Sequence, residues 1–305
     1  MSERYLWGVD LGGTKIEAVV LDVENNYEIL ARERTETEGH LGYDKVLHNV
    51  ASLINQISTK YHIPVGKIGI GTPGSINPHT GKLRNCNSIY LNGQPFHTDL
   101  EKILGHPVRM TNDANCFAIS EYKLGVVQEK AKDAKSVFGV IMGTGVGSGI
   151  VINGHILEGR NGIGGEWGHN YLDTSGGKCY CGKVGCVETV IAGPSLERFY
   201  FEKTNHKKKL KSIVEDYRNK SDAAAVETME RLFYFFPKAI SNIINVLDPD
   251  VVVVGGGLGN IDELYTEGIQ KLNQFVFSDF IETKFLKPSF GDSSGVLGAA
   301  LLWDE

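Results

Sequence analysis

Apolar and polar positions along the first part of the chain follow the periods of strands and helices. Five apolar runs bounded by turn-forming residues predict strands at 5–9, 16–21, 28–35, 67–70 and 108–110. Between 43 and 61, apolar residues recur at three- and four-residue spacing, which predicts an amphipathic helix. A second helix is expected after the last of these strands, ending near Leu124.

The same order of elements begins again in the second half. Strands are predicted at 136–142, 150–152 and 251–254, the last a run of four valines that is typical of a buried parallel strand. A long helix is predicted at 223–247, kinked at Pro237. Further helices are expected from about Ile261, and from about Ser294 to Trp303.

Two local patterns occur twice, which indicates a divergent internal repeat. A strand, a glycine turn and a strand occupy 5–21 and recur at 136–152, and a strand running into glycines occupies 67–74 and recurs at 251–259. We therefore expect two related α/β lobes with a cleft between them. The first comprises residues 1–120 with a C-terminal helix at about 294–305, and the second comprises residues 121–293.

Composition narrows the class of protein. The 41% hydrophobic and 22% charged residues are those of a soluble globular chain. A net charge of −6 argues against a nucleic-acid partner. No apolar run reaches the ~18 residues of a membrane span, and the first residues do not form a signal peptide. We therefore expect a cytoplasmic enzyme with neither a membrane nor a nucleic-acid partner.

Glycine-rich turns after strands are candidate phosphate-binding sites. The turns at 10–15 and 143–149 each join two predicted strands, where backbone N–H groups can face phosphate oxygens. A single turn of this kind is more often an ordinary tight hairpin, but two at equivalent positions favour phosphate binding. The glycine run at 255–259 is interpreted as packing against the base or ribose of a nucleotide.

Two aspartates at strand ends are candidates for phosphoryl transfer. Asp10 lies beside the first glycine turn and can orient magnesium or its waters. Asp113 lies where a strand gives way to a helix, so it is either a helix N-cap or a general base that takes a proton from a substrate hydroxyl. The neighbouring Asn112 and Asn115 are candidates for holding other hydroxyls.

Three of the five cysteines, Cys179, Cys181 and Cys186, lie close together in the chain. An odd number of cysteines without a signal peptide argues against a disulfide framework. His169, ten residues upstream, completes the four ligands that a structural, tetrahedral zinc ion requires. The alternative is a group of buried free thiols.

Two glutamates bracket this cysteine loop. Glu166 lies just before His169, and Glu188 lies just after Cys186. Each alone is typical of a solvated surface charge, but carboxylates ordered by a metal-bound loop suit a polyol ligand, because they accept hydrogen bonds from several hydroxyls.

Together these motifs resemble the ROK family of sugar kinases, within the actin/hexokinase-like ATPase superfamily, over essentially the whole chain. The matching motifs are Asp10-Leu-Gly-Gly-Thr-Lys15, Asn112-Asp-Ala-Asn115, Gly143-Thr-Gly-Val-Gly147, Gly165-Glu-Trp-Gly-His169, Cys179-x-Cys181-x4-Cys186-x-Glu188 and Gly255-Gly-Gly-Leu258. The resemblance implies an α/β fold of two actin-like, ribonuclease H-like lobes, with an interdomain cleft and a zinc-stapled loop.

The resemblance also implies a role for each matching residue. Asp113 would be the base that activates a primary sugar hydroxyl, usually on C6. The ATP phosphates are expected near Gly12, Gly13, Thr14, Lys15, Gly143, Thr144, Gly145 and Gly147, and the adenosine near Gly255, Gly256, Gly257 and Leu258. The expected sugar contacts are Gly74, Asn112, Asp113, Glu166, His169 and Glu188. The expected zinc ligands are His169, Cys179, Cys181 and Cys186.

The sugar is less well determined by these motifs. The stretches at 71–81, 85–88, 91–96 and 291–295 most resemble bacterial fructokinases that also accept mannose, so fructose or mannose is the expected substrate. The alternatives are an N-acetylglucosamine kinase, which the stretch 112–121 also resembles, or a glucokinase. A sugar-sensing repressor is disfavoured because only four residues precede the first strand, which leaves no room for a helix-turn-helix. The resemblance further implies a homodimer.

Overall fold

The computed structural model describes residues 4–304, apart from the side chain of Asp292. The chain packs as two compact units. The first unit comprises the chain through Leu124, the segment His155–Gly164 and the chain from Asp292 onward. The second unit comprises Gly125–Gly154 and Gly165–Gly291.

The first unit is built on a five-stranded sheet with the order β3-β2-β1-β4-β7. Its strands, with the two-stranded hairpin β5–β6, are β1 (Tyr5–Leu11), β2 (Lys15–Asp22), β3 (Glu28–Glu36), β4 (Ile68–Thr72), β5 (Ser75–Ile76), β6 (Leu83–Arg84) and β7 (Val108–Asn112). The first three strands pair antiparallel, whereas β4 and β7 continue the sheet parallel to β1. The predicted strands of this half are all present.

Helices cover the faces of this sheet. They are α1 (Tyr43–Tyr61), α2 (Phe96–Leu104), α3 (Asp113–Lys123) and, from the end of the chain, α9 (Ser294–Ala300). The apolar face of α1 is buried through seven residues: Val46, Leu47, Val50, Ala51, Leu53, Ile54 and Ile57. Helix α9 lies so close to β1 and β4 that a Cβ at Gly8 or Gly69 would collide with its backbone. Glycine in these strands therefore brings the C-terminal helix against the sheet.

The second unit repeats this plan. Four strands of this unit pair in the order β9-β8-β11-β12: β8 (Ser136–Met142), β9 (Val146–Ile152), β11 (Val251–Gly255) and β12 (Lys284–Leu286). Strands β8 and β9 form an antiparallel hairpin, and β11 and β12 follow in parallel. The order of pairing matches that of β2, β1, β4 and β7, as the internal repeat predicts. A two-residue strand, β10 (His155–Ile156), lies in the segment that belongs to the first unit.

The helices of the second unit are α4 (Val126–Lys130), α5 (Val187–Ile191), α6 (Gly193–Thr204), α7 (Leu210–Asn219) and α8 (Ala223–Leu247). Helix α8 has the predicted bounds, and Pro237 lies within it without ending it. Its apolar face forms much of a core that is separate from the core of the first unit.

The predicted helix from about Ile261 is wrong. That segment instead forms short 3₁₀ turns at Gly257–Asn260, Asp262–Tyr265 and Leu272–Gln274. The Tyr265 hydroxyl lies 2.9 Å from the carbonyl oxygens of both Val254 and Gly259, which share its one proton, and so ties the segment back to the end of β11. A tertiary contact that the local spacing does not encode therefore overrides the helical period.

Candidate functional site

In the first unit, polar side chains gather where three parallel strands end. The pairing places Asp10 of β1 opposite Gly71 of β4, and Thr72 of β4 opposite Asn112 of β7. The carboxyl ends of these strands therefore lie at one edge of the sheet, which is where ligands bind in open α/β sheets. Asp10 is half-buried at this edge.

The local structure at the start of α3 assigns different tasks to neighbouring residues. Asn112 is the N-cap, and its Oδ1 accepts from the backbone N–H of Asn115 at 2.7 Å. Asp113 is the first residue of the helix, is exposed, and its Oδ1 accepts from the N–H of Ala114 at 2.8 Å. The N-cap interpretation of Asp113 is therefore wrong. Asn115 is buried, and its side-chain amide donates to the Thr111 hydroxyl at 2.9 Å.

The acidic groups at this edge influence one another. Burial raises the pKa of Asp10 to about 6, and the nearby carboxylates of Asp113 and Glu17 add to the rise while Arg34 opposes it. A half-buried carboxylate with two acidic neighbours favours a divalent cation, because a cation stabilises the charged form. The residues present therefore fit the predicted magnesium site.

The turn that follows Asp10 is short and exposed. The N–H of Gly12 donates to the carbonyl of Lys15 at 3.0 Å, and the Thr37 hydroxyl donates to the carbonyl of Gly12 at 2.8 Å. Gly13, Thr14 and Lys15 are exposed on this turn. Their roles toward phosphate stay predictions.

Gly74 follows β4 in the left-handed region, with φ +81°. A Cβ there would lie 2.7 Å from the sulfur of Cys86. Packing alone therefore accounts for a glycine at this position, and its predicted contact with sugar stays a prediction.

In the second unit, the hairpin between β8 and β9 is joined to Glu188. The turn consists of Gly143, Thr144 and Gly145, and Gly147 lies within β9. The backbone N–H of Val146 donates to Glu188 Oε2 at 2.9 Å. A Cβ at Gly145 would lie 2.5 Å from the same oxygen. The second glycine turn therefore leaves space for one oxygen of Glu188, and the N–H of Val146 binds that oxygen.

Glycine residues, which have no side chain, follow the carboxyl ends of β8 and β11. Gly193, the first residue of α6, donates its N–H to the carbonyl of Gly143 at 2.9 Å. A Cβ built on Gly143 would lie 4.0 Å from the nitrogen of Gly257. Gly256 and Gly257 are exposed here, whereas Leu258 is buried in the core of the unit at 2% exposure. A flat ligand group can approach this edge closely, but the side chain of Leu258 faces the protein interior.

The four predicted zinc ligands lie together. One ligand atom from each of His169, Cys179, Cys181 and Cys186 lies within 4.8 Å of all the others. The sulfur of Cys179 is 3.6 Å from His169 Nδ1, and the sulfurs of Cys181 and Cys186 are 3.6 Å apart. Two zinc–sulfur bonds of ~2.3 Å at a tetrahedral angle place their sulfurs about 3.8 Å apart. The cluster therefore fits zinc.

The segment from Glu166 to Glu188, called the zinc loop below, carries one predicted sugar-binding carboxylate at each end. Glu166 precedes a 3₁₀ turn, Trp167–His169, whose Trp167 is buried and donates its ring N–H to the carbonyl of Ala239 at 3.2 Å. Cys186 is the N-cap of α5, and Glu188 lies in the first turn of that helix. A metal held by His169 and Cys186 would fix the chain beside both carboxylates.

Sequence reasoning missed two residues at this site. Tyr180, between two of the cysteines, places its hydroxyl 3.0 Å from His169 Nε2. Gly193, at the start of α6, donates its backbone N–H to the carbonyl of Gly143 in the second glycine turn. An aromatic residue between cysteine ligands was a signal for Tyr180, whereas no local pattern marks Gly193.

None of the helices described between residues 4 and 304 is both long and apolar enough to cross a membrane.

Comparisons with known proteins give consistent results. A model of the ROK family matches residues 6–305. An N-acetyl-D-glucosamine kinase of Vibrio atlanticus (strain LGP32) is 35% identical over 306 residues, covering 97% of this chain and 98% of that protein. The crystal structure of a ROK hexokinase from Thermus thermophilus is similar with a TM-score of 0.85 and 29% identity, covering 97% of both chains. A ROK family glucokinase from Streptomyces griseus, solved with glucose and AMPPNP, has a TM-score of 0.76 and 27% identity, covering 98% of both chains.

Proposed function

The chain belongs to the ROK family of sugar kinases, and from that premise we propose that it transfers a phosphoryl group from ATP to a primary hydroxyl, usually on C6, of N-acetyl-D-glucosamine. The observation that carries the reaction is the exposed carboxylate of Asp113 at the carboxyl edge of β7, beside Asp10. Its neighbour Asn112 caps the helix, so the cap does not require Asp113.

The choice of sugar rests on the relatives. The motif resemblance favoured fructose or mannose, whereas the Vibrio atlanticus relative, 35% identical over nearly the whole of both chains, is an N-acetyl-D-glucosamine kinase. That relative supports the alternative substrate better than the original expectation. Discrimination of an acetamido group from a hydroxyl depends on pocket shape and on paired polar groups, so sugars of both kinds belong in the test.

Asp113 is proposed as the general base. Its carboxylate takes the proton of the sugar hydroxyl as the oxygen attacks the γ-phosphorus of ATP, and ADP leaves with the electron pair of the broken bond.

Asp10 and the glycine turns are proposed to serve the nucleotide. Asp10 would hold Mg²⁺, which neutralises charge that develops on the phosphates when it is bound. The exposed turn at Gly13, Thr14 and Lys15, and the hairpin turn at Gly143–Gly145, would supply backbone N–H groups to phosphate oxygens.

Glu166 and Glu188 are proposed to hold sugar hydroxyls. Glu188 already uses one oxygen for the N–H of Val146, which fixes the carboxylate, and its other oxygen is the proposed acceptor for a sugar hydroxyl. Zinc at His169, Cys179, Cys181 and Cys186 would keep the loop that carries both glutamates in one conformation.

The reaction is tested by coupled ADP release with ATP and magnesium across N-acetylglucosamine, N-acetylmannosamine, glucose, mannose and fructose. We expect the highest kcat/KM for N-acetylglucosamine. A preference for fructose or mannose would keep the mechanism and overturn the proposed substrate. No turnover with any sugar, in protein that carries zinc, would overturn the kinase assignment for these hexoses.

The role of Asp113 is tested by Asp113→Asn, which keeps the size of the side chain and removes the base. We expect kcat to fall by about 10²–10⁴-fold, with the sugar Kd changed by less than about threefold. Circular dichroism and thermal unfolding serve as controls that the variant is folded. Near-normal turnover in the folded variant would contradict the assignment.

A further inference from the structure

The start of α9 contacts the carboxylate of Asp10. Gly295 lies in the first turn of this helix, and a Cβ built on it would lie 3.1 Å from Asp10 Oδ2 and 3.4 Å from Asp10 Cγ. A Cβ built on Gly71 of β4 would lie 3.8 Å from Asp10 Oδ1. The half-buried carboxylate therefore lies beside two backbone positions that carry no side chain.

The backbone conformation of residue 295 does not require glycine. Its φ lies outside the left-handed region in which glycine is favoured, and glycine forms helices less readily than alanine does. The three atoms nearest to a Cβ built on Gly295 all belong to the carboxylate of Asp10. The close approach of this carboxylate is therefore the physical reason for a glycine at the start of α9.

Two hydrogen bonds hold the residues that precede Gly295. The hydroxyl of Ser294 donates to Oε1 of Glu121 in α3 at 2.8 Å, and both residues are buried. One position earlier, Nη2 of Arg32 in β3 donates to the hydroxyl of Ser293 at 2.9 Å. The start of α9 is therefore tied to a helix and to a strand of the first unit.

The rest of α9 is held by close backbone contacts. A Cβ built on Gly298 would lie 1.8 Å from the carbonyl oxygen of Cys116 in α3. A Cβ built on Gly8 of β1 would lie 2.5 Å from the carbonyl oxygen of Val296. Packing of this density leaves little room for movement. The helix therefore keeps Gly295 at a fixed place relative to the sheet that carries Asp10.

Magnesium makes strict demands on a carboxylate that binds it. Mg²⁺ requires nearly octahedral geometry, and groups at a functional site must stay within about 0.5 Å of the productive position. A methyl group 3.1 Å from Asp10 Oδ2 would force the two groups apart by a few tenths of an ångström. The absence of a side chain at residue 295 therefore matters for the position of the carboxylate.

We propose that Gly295 is a positioning residue for Asp10: its bare Cα lies against the carboxylate and keeps it in the orientation that holds Mg²⁺, and the hydrogen bond from Ser294 to Glu121 keeps Gly295 in place. A helix from a distant part of the chain thereby orients a carboxylate of β1. This assignment rests on the proposed function, in which Asp10 holds Mg²⁺.

Thermal unfolding without metal or nucleotide tests the contact itself. In the wild-type background, Gly295→Ala places a methyl group against the carboxylate, and we expect Tm to fall by about 1–4 °C. In the Asp10→Ala background the methyl group has space. There we expect the same substitution to raise Tm by about 1–2 °C, because alanine is the better helix former. A change of the same sign and size in both backgrounds would overturn the proposal.

Equilibrium binding of ADP tests the consequence for magnesium. The measured quantity is the ratio of the ADP Kd in EDTA to the ADP Kd in excess Mg²⁺, which reports what the metal adds to nucleotide affinity. We expect a wild-type ratio above one and a ratio in Gly295→Ala that falls toward the value for Asp10→Ala. The sugar Kd is expected to change by less than about twofold, whereas kcat falls by about tenfold or more.

A second variant and a matched control separate positioning from general damage. Ser294→Ala removes the hydrogen bond to Glu121 and adds no atom near Asp10, so we expect the ratio to fall by less than in Gly295→Ala. Val296→Ala is the control, because Val296 is fully buried in the same helix. It is expected to lower Tm and to leave the ratio at the wild-type value.

Two results of the binding experiment would overturn the positioning role. One is an unchanged ratio in folded Gly295→Ala, and the other is an equal loss in Val296→Ala, which would indicate general loosening of α9. A wild-type ratio of one would instead overturn the proposed magnesium role of Asp10, and this assignment with it. The Tm comparison does not depend on that role, so the two failures can be told apart.

Discussion

At the edge of the first sheet, two residues that are adjacent in the chain have different roles. Asn112 and Asp113 both have side chains that can cap a helix, and the structure uses Asn112. Asp113, one residue later, is exposed and lies near a second carboxylate, that of Asp10. The sequence alone left both interpretations of Asp113 open, because the choice of cap depends on where the strand ends and the helix begins.

Asp10 gives a prediction of pH dependence at the residue scale. Its folded-state pKa of about 6 lies above the ordinary value of 3.8. Between these values the folded state binds the proton more tightly, so this group adds stability as the pH falls from about 6 toward 4 and loses it as the pH rises through that window. Asp10→Asn, which carries no charge at any pH, is therefore expected to be more stable than the wild type at pH 7.5, by about 1–3 kcal/mol.

The measurement is chemical denaturation of both proteins without added magnesium, at pH 7.5, 6.5, 5.5 and 4.5. The stability difference between Asp10→Asn and the wild type should shrink as the pH falls. Comparing the two proteins at each pH cancels the titration of the groups that do not interact with Asp10. A difference that stays constant with pH would contradict the raised pKa.

At the scale of elements, the zinc loop connects Glu166 at one end with Glu188 at the other. The spacing of His169 and the three cysteines predicted the cluster, and the structure brings all four ligand atoms within 4.8 Å of one another. The loop ends at the N-cap of α5, so disorder at the metal would spread to Glu188 and from there to the glycine turn at Val146.

Cys179→Ser tests this connection. Elemental analysis is expected to find one zinc per chain in the wild type and a much smaller amount in the variant, because a serine hydroxyl is a poor zinc ligand. The sugar KM should rise by about tenfold or more. Val184→Ser is the control, since Val184 is 49% exposed in the same loop. Loss of zinc with unchanged sugar affinity would show that the loop does not support the sugar site.

At the scale of the whole molecule, two units repeat one order of strands, and each carries part of the proposed chemistry. Ligands that bind only the folded protein raise its unfolding temperature by mass action, about 2.7 kcal/mol at a hundredfold excess over Kd. For a chain of 305 residues, that stabilisation corresponds to a shift of about 4 °C.

Thermal unfolding therefore tests the substrate without turnover. At equal concentrations, N-acetylglucosamine is expected to raise the Tm more than fructose or mannose does. Sorbitol at the same concentration controls for general solute effects. A larger shift with fructose or mannose would restore the substrate that the motif resemblance first favoured.

Local patterns in the sequence determined much of this protein. Helical spacing gave α1 and α8 with their observed bounds. Apolar runs gave all five strands of the first sheet, and β8, β11 and part of β9 in the second, but they missed β12. The cysteine spacing gave the metal cluster. These features depend on near neighbours in the chain, where period, turn residues and ligand spacing can be seen directly.

Tertiary structure decided what depends on distant parts of the chain. The segment after Ile261 forms 3₁₀ turns because Tyr265 reaches back to the end of β11. Glu188 meets the N–H of Val146, 42 residues away. Tyr180 meets His169 because a fold in the zinc loop brings the two rings together. Such pairings satisfy buried or constrained polar groups across the fold, and no local period records them.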